Sequence, residues 1–398
     1  KSLFDPIRTT RIHNWHLNNG AEFEHVGQWM RAWYYPKKNE NMQTAVNREV
    51  FSVRNSAGIL DASTLGKIDI RGPDSAEFLN LIYTNNWQNL EVGNCRYGIM
   101  LKEDGMVMDD GVTARLGDEH FHMTTTTGGA ANVLSWLEEW LQTEWPNLKV
   151  FLTSVTEAWS VISISGPKAR DILMAAKCSL DLSNEQFKFM TFKEGYIDKI
   201  PVKIFRVSFT GELSFEINTP SRYGLKLWEI LIEKGSKFGL TPYGTEAMHV
   251  LRAERGFIIV GQETDGSVTP FDLGMDWIVS KKKSDFIGKR SLERSSMLSE
   301  NRKELVGLLT KDPNQVIPEG AHAIPTTSKQ LPINILGHVT SSYYSPNCRR
   351  SIAMGLIKGG RAKLGSKIWF PLLNGEVIEA KVVPPVFFDP KGVRKDGI

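Results

Sequence analysis

An α+β fold with a small all-β domain at the C-terminal end is the class that the sequence predicts, and three observations carry it. A strand, a Gly-Pro turn and a helix occur in succession at two places far apart. Between and after them lie amphipathic helices and an extended β region. Beyond residue 303 the helical spacing stops, and short β-like runs alternate with Pro and Gly.

The first segment carries Trp15, Trp29, Trp33, Tyr34 and Tyr35 without sustained periodicity, so it reads as loops and short elements packed on something else. Lys67 to Ile70 then reads as a strand, Gly72-Pro73-Asp74 as a turn, and Ser75 to Ile82 as a helix with Phe78, Leu79 and Ile82 on one face. The second copy runs from Val161 to Ile164, through Gly166-Pro167, to a helix over Ala169 to Ala176. Val133, Leu134, Trp136, Leu137, Trp140 and Leu141 predict a helix that stops before Pro146. Lys203 to Asn218 is a long β region broken at Thr210-Gly211, and Ser221 is placed to cap the helix bearing Leu227, Trp228 and Leu231. A further helix spans Gly244 to Arg255, and the charge-rich stretches 281–289 and 290–303 read as solvated, with a domain boundary in the second. Ile335 to Ser341 and Val377 to Val383 are the clearest strands of the last part.

Composition excludes several classes. With 48 Lys and Arg against 45 Asp and Glu, the net charge of +3 argues against a nucleic-acid partner. The polar start, Lys1 to Thr10, has no apolar core of a secretory signal, and no run of eighteen apolar residues suggests a membrane helix. Cys95, Cys178 and Cys348 have neither disulfide-framework nor zinc spacing, and the eight histidines have no metal spacing, so a soluble, reduced, cytoplasmic protein without metal is expected. Beginning with Lys, the chain reads as a processed piece or part of a longer polypeptide. Phosphate-loop, dinucleotide, zincin and α/β-hydrolase motifs are all absent from the sequence, so neither flavin nor NAD is expected on it.

The candidate chemistry lies in three places. In Gly105-Met-Val-Met-Asp-Asp-Gly111, strand alternation sends Asp109 and Asp110 to opposite faces, so one is chemical and the other structural; a solvated turn is the plainer alternative. In Phe209 to Ile217, Glu216 sits between Phe215 and Ile217, where a carboxylate either meets N–H donors of a ligand or alternates outward to water. Thr124 to Thr127 before Gly128-Gly129 is either a ligand approach or an ordinary strand and cap. Trp277 is either a stacking platform or a core side chain, and His249 reads as part of an ion-paired helix surface with Glu246, Arg252 and Glu254.

Taken in order, these segments resemble the folate-dependent aminomethyltransferase family, the glycine cleavage T-protein and its relatives. The likeness rests on Gly58-Ile-Leu-Asp-Ala-Ser63, Gly105 to Gly111, Ser165-Gly-Pro167, Phe209 to Glu216, Leu251-Arg-Ala-Glu254, Thr269-Pro270 and Gly337-His-Val-Thr-Ser-Ser342. Asp61 to Lys67, Met123 to Gly129, Leu141 to Trp145 and Tyr243 to Ala247 are similar to the branch that forms the C-terminal half of heterotetrameric sarcosine oxidase alpha subunits.

The resemblance implies a three-domain, cloverleaf-like architecture around a tetrahydrofolate site. The division is 1–57 plus 154–240, 58–153 plus 241–295, and an all-β domain over 296–398. It further implies Asp110 as the catalytic carboxylate, Glu216 as the acceptor for the pterin, and Leu65, Tyr97, Thr124, Phe209 and Trp277 as pocket lining. T-proteins carry a folate-contacting Arg where this chain has Met248, and can place another near Leu305; Arg252 is a candidate replacement. The implied partners are tetrahydrofolate and flavin-bearing sarcosine oxidase subunits or an N-terminal dinucleotide-binding part. The implied reaction captures an imine from sarcosine as 5,10-methylenetetrahydrofolate. A free-standing aminomethyltransferase or demethylase with another donor, and a folate-binding module without turnover, remain alternatives.

Overall fold

In the computed structural model, which describes residues 7–327 and 331–397, three antiparallel-rich sheets organise the chain. The first six residues of the polar Lys1–Thr10 start lie outside the described residues. The first sheet has six strands in the order Phe192–Ile197, Ile200–Phe205, Ser214–Pro220, Trp159–Ser165, Ala57–Asp61 and Leu240–Pro242. Only the last pair is parallel. The second sheet orders Cys95–Leu101, Val107–Gly117, His120–Thr125, Gly66–Arg71 and Phe151–Ser154, all antiparallel.

Helices cover one face of each sheet, and the apolar alternation decides which. Phe215 and Ile217 of the first sheet bury against Ile172, Leu227, Trp228 and Leu231 of helices Ala169–Ala175 and Gly224–Gly235. Ile68, Ile70, Phe121 and Met123 of the second sheet bury against Phe78, Leu79, Ile82, Val133 and Leu137 of helices Ser75–Ile82 and Ala130–Thr143. The opposite faces therefore carry the intervening polar residues. Both strand–turn–helix units occur as the periodicity predicts.

Residues 303–383 form the third sheet, six antiparallel strands with their own core of Val306, Leu308, Ile357, Ile368, Phe370 and Val382. The expected all-β C-terminal part is thus present. The aromatic first segment forms helix His13–Asn18 and hairpin Glu22–Val26 with Trp29–Tyr34. That hairpin is fastened to helix Thr245–Glu254 by the Trp33 indole, which donates to Glu246 at 3.0 Å.

Three expectations are corrected. Ser221 does not cap a helix: it opens a 3₁₀ turn over Ser221–Tyr223, and that turn feeds directly into the helix at Gly224. Lys283, within a stretch read as solvated, is buried and donates to the Tyr83 and Asn85 carbonyls. Helix Thr245–Glu254 turns two of its charges inside, where Arg252 pairs with Glu263 at 2.8 Å and Glu254 with Arg54 at 2.7 Å, while Glu246 and His249 stay partly exposed, 4.0 Å apart. Burial pushes His249 beside this pair down to about 3, with Arg252 and Arg31 adding to the fall. The local pattern of a charged helix reads the same whether its partners are water or another sheet.

Candidate functional site

Asp109 and Asp110 stand on strand Val107–Gly117 and point to opposite faces. Asp109 faces the helices and is 1% exposed; its carboxylate accepts from the backbone N–H of Asp110 at 2.7 Å, the N–H of Thr126 at 3.2 Å and the Thr126 hydroxyl at 3.0 Å. Gly129 has to be glycine to admit it, since a Cβ there would lie 1.9 Å from its Oδ2. Asp109 thus fastens the start of helix Ala130–Thr143, and Thr126 accepts from Gly129 N–H at 3.1 Å in a cap-like turn.

Asp110 looks the other way. Its Oδ2 accepts from the Tyr97 phenol at 2.5 Å, across the pair of strands 95–101 and 107–117. Burial pushes its carboxyl up to about 7; the Tyr97 hydrogen bond opposes the rise and the Asp109 charge adds to it. Asp110, Tyr97 and Glu216 each keep part of their surface open. A neighbouring glycine, Gly111, lets the strand approach its partner: a Cβ there would meet the Thr124 carbonyl at 1.9 Å.

Glu216 lies on the face of the first sheet away from Phe215 and Ile217, cross-strand from Phe205 and Ser163. No hydrogen bond reaches its carboxylate among the described residues, and burial pushes it up to about 7 against the pull of Lys67. Lys67 is fully buried on the second sheet, cross-strand from Thr124. Its ammonium donates to the carbonyls of Ser63 at 2.8 Å and Leu65 at 2.7 Å. Thr124 spends its hydroxyl on Val112, donating to its carbonyl at 2.8 Å and accepting from its N–H at 3.0 Å.

Trp277 and Phe209 are the exposed ones among the expected residues. Trp277, 71% exposed, stacks on Tyr97 with centroids 6.4 Å apart. Its turn is held by the Thr84 hydroxyl, which donates to the Ile278 carbonyl at 2.9 Å, while Asn85 Nδ2 donates to the Tyr97 carbonyl at 2.8 Å. Phe209 stacks on Phe257 at 6.3 Å, and its ring partner is none of the other six. The structure therefore links Trp277, Tyr97 and Asp110 directly, and Leu65, Thr124 and Glu216 through the surroundings of Lys67. Lys67, Asn85 and Lys283 went unassigned in the sequence. Lys67 had one available signal, its alternation with Ile68 and Ile70, which puts it on the polar face.

Arg252, the candidate replacement for the missing arginine, is turned into the protein. It is fully buried, and its two terminal nitrogens donate to Glu263, the Phe257 carbonyl and the Ser341 hydroxyl. No group of three or more His, Cys, Asp or Glu side chains among the described residues is disposed to hold a metal ion. No described helix is long and apolar enough to cross a membrane.

Known proteins resemble the chain along its whole length. The GCVT N-terminal domain matches residues 12–283, and the glycine cleavage T-protein C-terminal barrel domain matches residues 303–389. A sarcosine oxidase subunit alpha of Corynebacterium sp. (strain P-1) is 54% identical over 400 residues, covering 99% of this chain and 41% of that protein. An aminomethyltransferase of Oceanobacillus iheyensis is 30% identical over 386 residues, covering 96% of this chain and 98% of that one. The chain therefore spans about two fifths of the length of the first relative and nearly all of the second. The solved glycine cleavage system aminomethyltransferase T of Bartonella henselae superposes with a TM-score of 0.83 at 25% identity, covering 96% of this chain and 99% of that structure.

Proposed function

Since the chain belongs to the glycine cleavage T-protein family of folate-dependent aminomethyltransferases, we propose that it is the tetrahydrofolate-binding one-carbon transfer module of a sarcosine oxidase alpha-type polypeptide. The observation that carries this reading is the pair of partly open carboxyls, Asp110 held by Tyr97 beside the exposed Trp277 ring and Glu216 without a hydrogen bond among the described residues, both pushed up to about 7.

Tetrahydrofolate is the acceptor. Its pterin presents N–H donors, and Glu216, lacking a hydrogen bond among the described residues, is the acceptor they meet. The one-carbon unit arrives as the iminium formed by oxidation of sarcosine. A folate nitrogen attacks its methylene carbon, and Asp110 takes up the proton that nitrogen loses. When the second folate nitrogen closes the ring, the C–N bond to glycine breaks. The two folate hydrogens end on the departing amine, so glycine and 5,10-methylenetetrahydrofolate balance the reaction without oxidation. A carboxyl near 7 is suited to this shuttle, since it takes and returns a proton at neutral pH. Its negative form also stabilises the approaching cation.

On this reading the oxidation takes place outside the chain, on flavin-bearing subunits or an N-terminal dinucleotide-binding part of the same polypeptide, and the chain carries neither flavin nor NAD. Cytoplasmic location follows from that metabolism. The test is calorimetric titration with folinic acid, followed by assay of methylenetetrahydrofolate in the complete protein supplied with sarcosine. Folate binding without product formation would favour a non-catalytic module, and product from another methylated amine a free-standing demethylase.

A further inference from the structure

Lys67 is a buried cation to which the reaction above gives no part. Its side chain is fully buried, forms no ion pair within 4.0 Å among the described residues, and donates to the carbonyls of Ser63 and Leu65. Those carbonyls belong to residues 62–65, the passage by which the chain leaves the first sheet after Asp61 and enters the second at Gly66. The passage is tied back to the first sheet: the Val161 N–H donates to the Ser63 hydroxyl at 3.0 Å, and the Ala62 N–H donates to the Val161 carbonyl at 2.9 Å. Two residues on, Ser163 is the cross-strand partner of Glu216. On the other sheet, Lys67 is itself the cross-strand partner of Thr124. Lys67 thus ties the turn that joins the two sheets, a turn fastened in its own right to the strand paired with that of Glu216, to the strand beside Thr124.

An ammonium buried against carbonyls alone is costly unless an anion lies near. Asp61 is one neighbouring anion, and it is already engaged by the Thr10 hydroxyl at 2.6 Å, the Ser63 N–H at 3.0 Å and His16 at 3.1 Å. Glu216 is the other, and it has no hydrogen bond among the described residues. We propose that Lys67 is a positioning residue of the folate site, which clamps the Ser63–Leu65 turn and supplies the positive charge that keeps Glu216 an acceptor for the pterin. This rests on the folate reading given above.

The electrostatics agree. Burial pushes Lys67 down to about 8, with Asp61 and Glu216 pulling it back up. The other titratable groups coupled to Glu216 stay neutral: burial pushes the Cys95 thiol far up, and the Tyr243 phenol up to about 12 despite hydrogen bonds to Ser165 and Ser163. His122, stacked on Phe205 and bonded to Asp69, is pushed down by burial, with Lys67 and Lys203 adding to the fall.

The experiment titrates the complete protein with folinic acid between about pH 5.5 and 9.5, comparing the parent with Lys67→Met, Lys67→Arg and Glu216→Gln. Parent affinity should rise with pH as Glu216 ionises. In Lys67→Met the midpoint should move up by roughly one unit, so that affinity falls up to about tenfold below it and recovers at high pH. Lys67→Arg should keep the parent midpoint, and Glu216→Gln should show no such step. An unmoved midpoint in folded Lys67→Met, or a loss equal at every pH, overturns the proposal. If the variants do not fold, the side-chain NMR signal of Lys67 in the parent should step at the midpoint of Glu216; an unmoved signal overturns it. Failure of the parent to bind folinic acid counts against the folate reading alone, because the NMR step reports the Lys67–Glu216 coupling without ligand.

Discussion

The phenol of Tyr97 donates to Asp110 Oδ2 at 2.5 Å, and the same ring stacks on Trp277. One side chain thus holds the candidate base and supports an exposed aromatic platform. The hydrogen bond stabilises the anion, so it limits how far burial raises the carboxyl. Tyr97→Phe keeps the ring and removes the donor. Transfer that needs ionised Asp110 rises with pH through its midpoint, and loss of a stabilising donor moves that midpoint upward. The alkaline plateau should persist while the rate–pH curve moves up by roughly one unit. Single-turnover rates of methylenetetrahydrofolate formation across pH check this, and an unmoved curve would separate Tyr97 from Asp110 chemically.

Asp110→Asn and Asp109→Asn should part company. Removing the proton acceptor at Asp110 should lower transfer by roughly 10²–10⁴-fold, with sarcosine still oxidised and formaldehyde released in its place. Stability should respond in the opposite sense. The folded carboxyl keeps its proton up to about 7 and the unfolded one releases it near 3.8, so folding stability falls as pH rises between those values. Asp110→Asn should therefore stabilise the protein above pH 7, by roughly 1–2 kcal/mol, less than the full shift because the group is partly open to water. Asp109→Asn turns one carboxylate oxygen into a donor facing N–H and hydroxyl groups, and should cost about 1–3 kcal/mol in urea unfolding.

Glu216→Ala should weaken folinic acid binding by about 1.5–3 kcal/mol, the range for hydrogen bonds to a charged acceptor. Equal affinities for variant and parent in calorimetry would remove Glu216 from the site.

The alternation that separates Asp109 from Asp110 is legible in the sequence because it is local: adjacent residues of a strand must diverge. The helices after Gly72-Pro73 and Gly166-Pro167 are legible for the same reason, their apolar spacing lying within one turn or two. Glu216 shows where that reasoning stops. Phe215 and Ile217 fix which face it avoids, but water or a recess on its own face depends on a second sheet distant in sequence. Lys283 and Arg252 read as surface cations for the same reason, and Lys67 had no role assigned, since each is offset by carbonyls or a carboxylate that only the tertiary fold brings up.

Arg252 gives the last prediction. Its pair with Glu263 is fully buried, and Glu263 also accepts from Thr340 at 3.0 Å and from Ser341, both on strand Gly337–Ser345 of the C-terminal sheet. The pair therefore joins helix Thr245–Glu254 to the third sheet. Removing one partner leaves the other charged without compensation, so Arg252→Met should destabilise the protein by about 3–5 kcal/mol. Replacing both, as in Arg252→Met with Glu263→Leu, should recover much of that loss, because an apolar pair of similar volume leaves no charge unpaired. Were Arg252 a folate contact, the single variant would lose affinity in proportion far beyond its fraction unfolded, and the double variant would not regain it. Urea unfolding and folinic acid titration of the same samples separate the two, and the expected outcome is lost stability with near-parental affinity in the folded fraction.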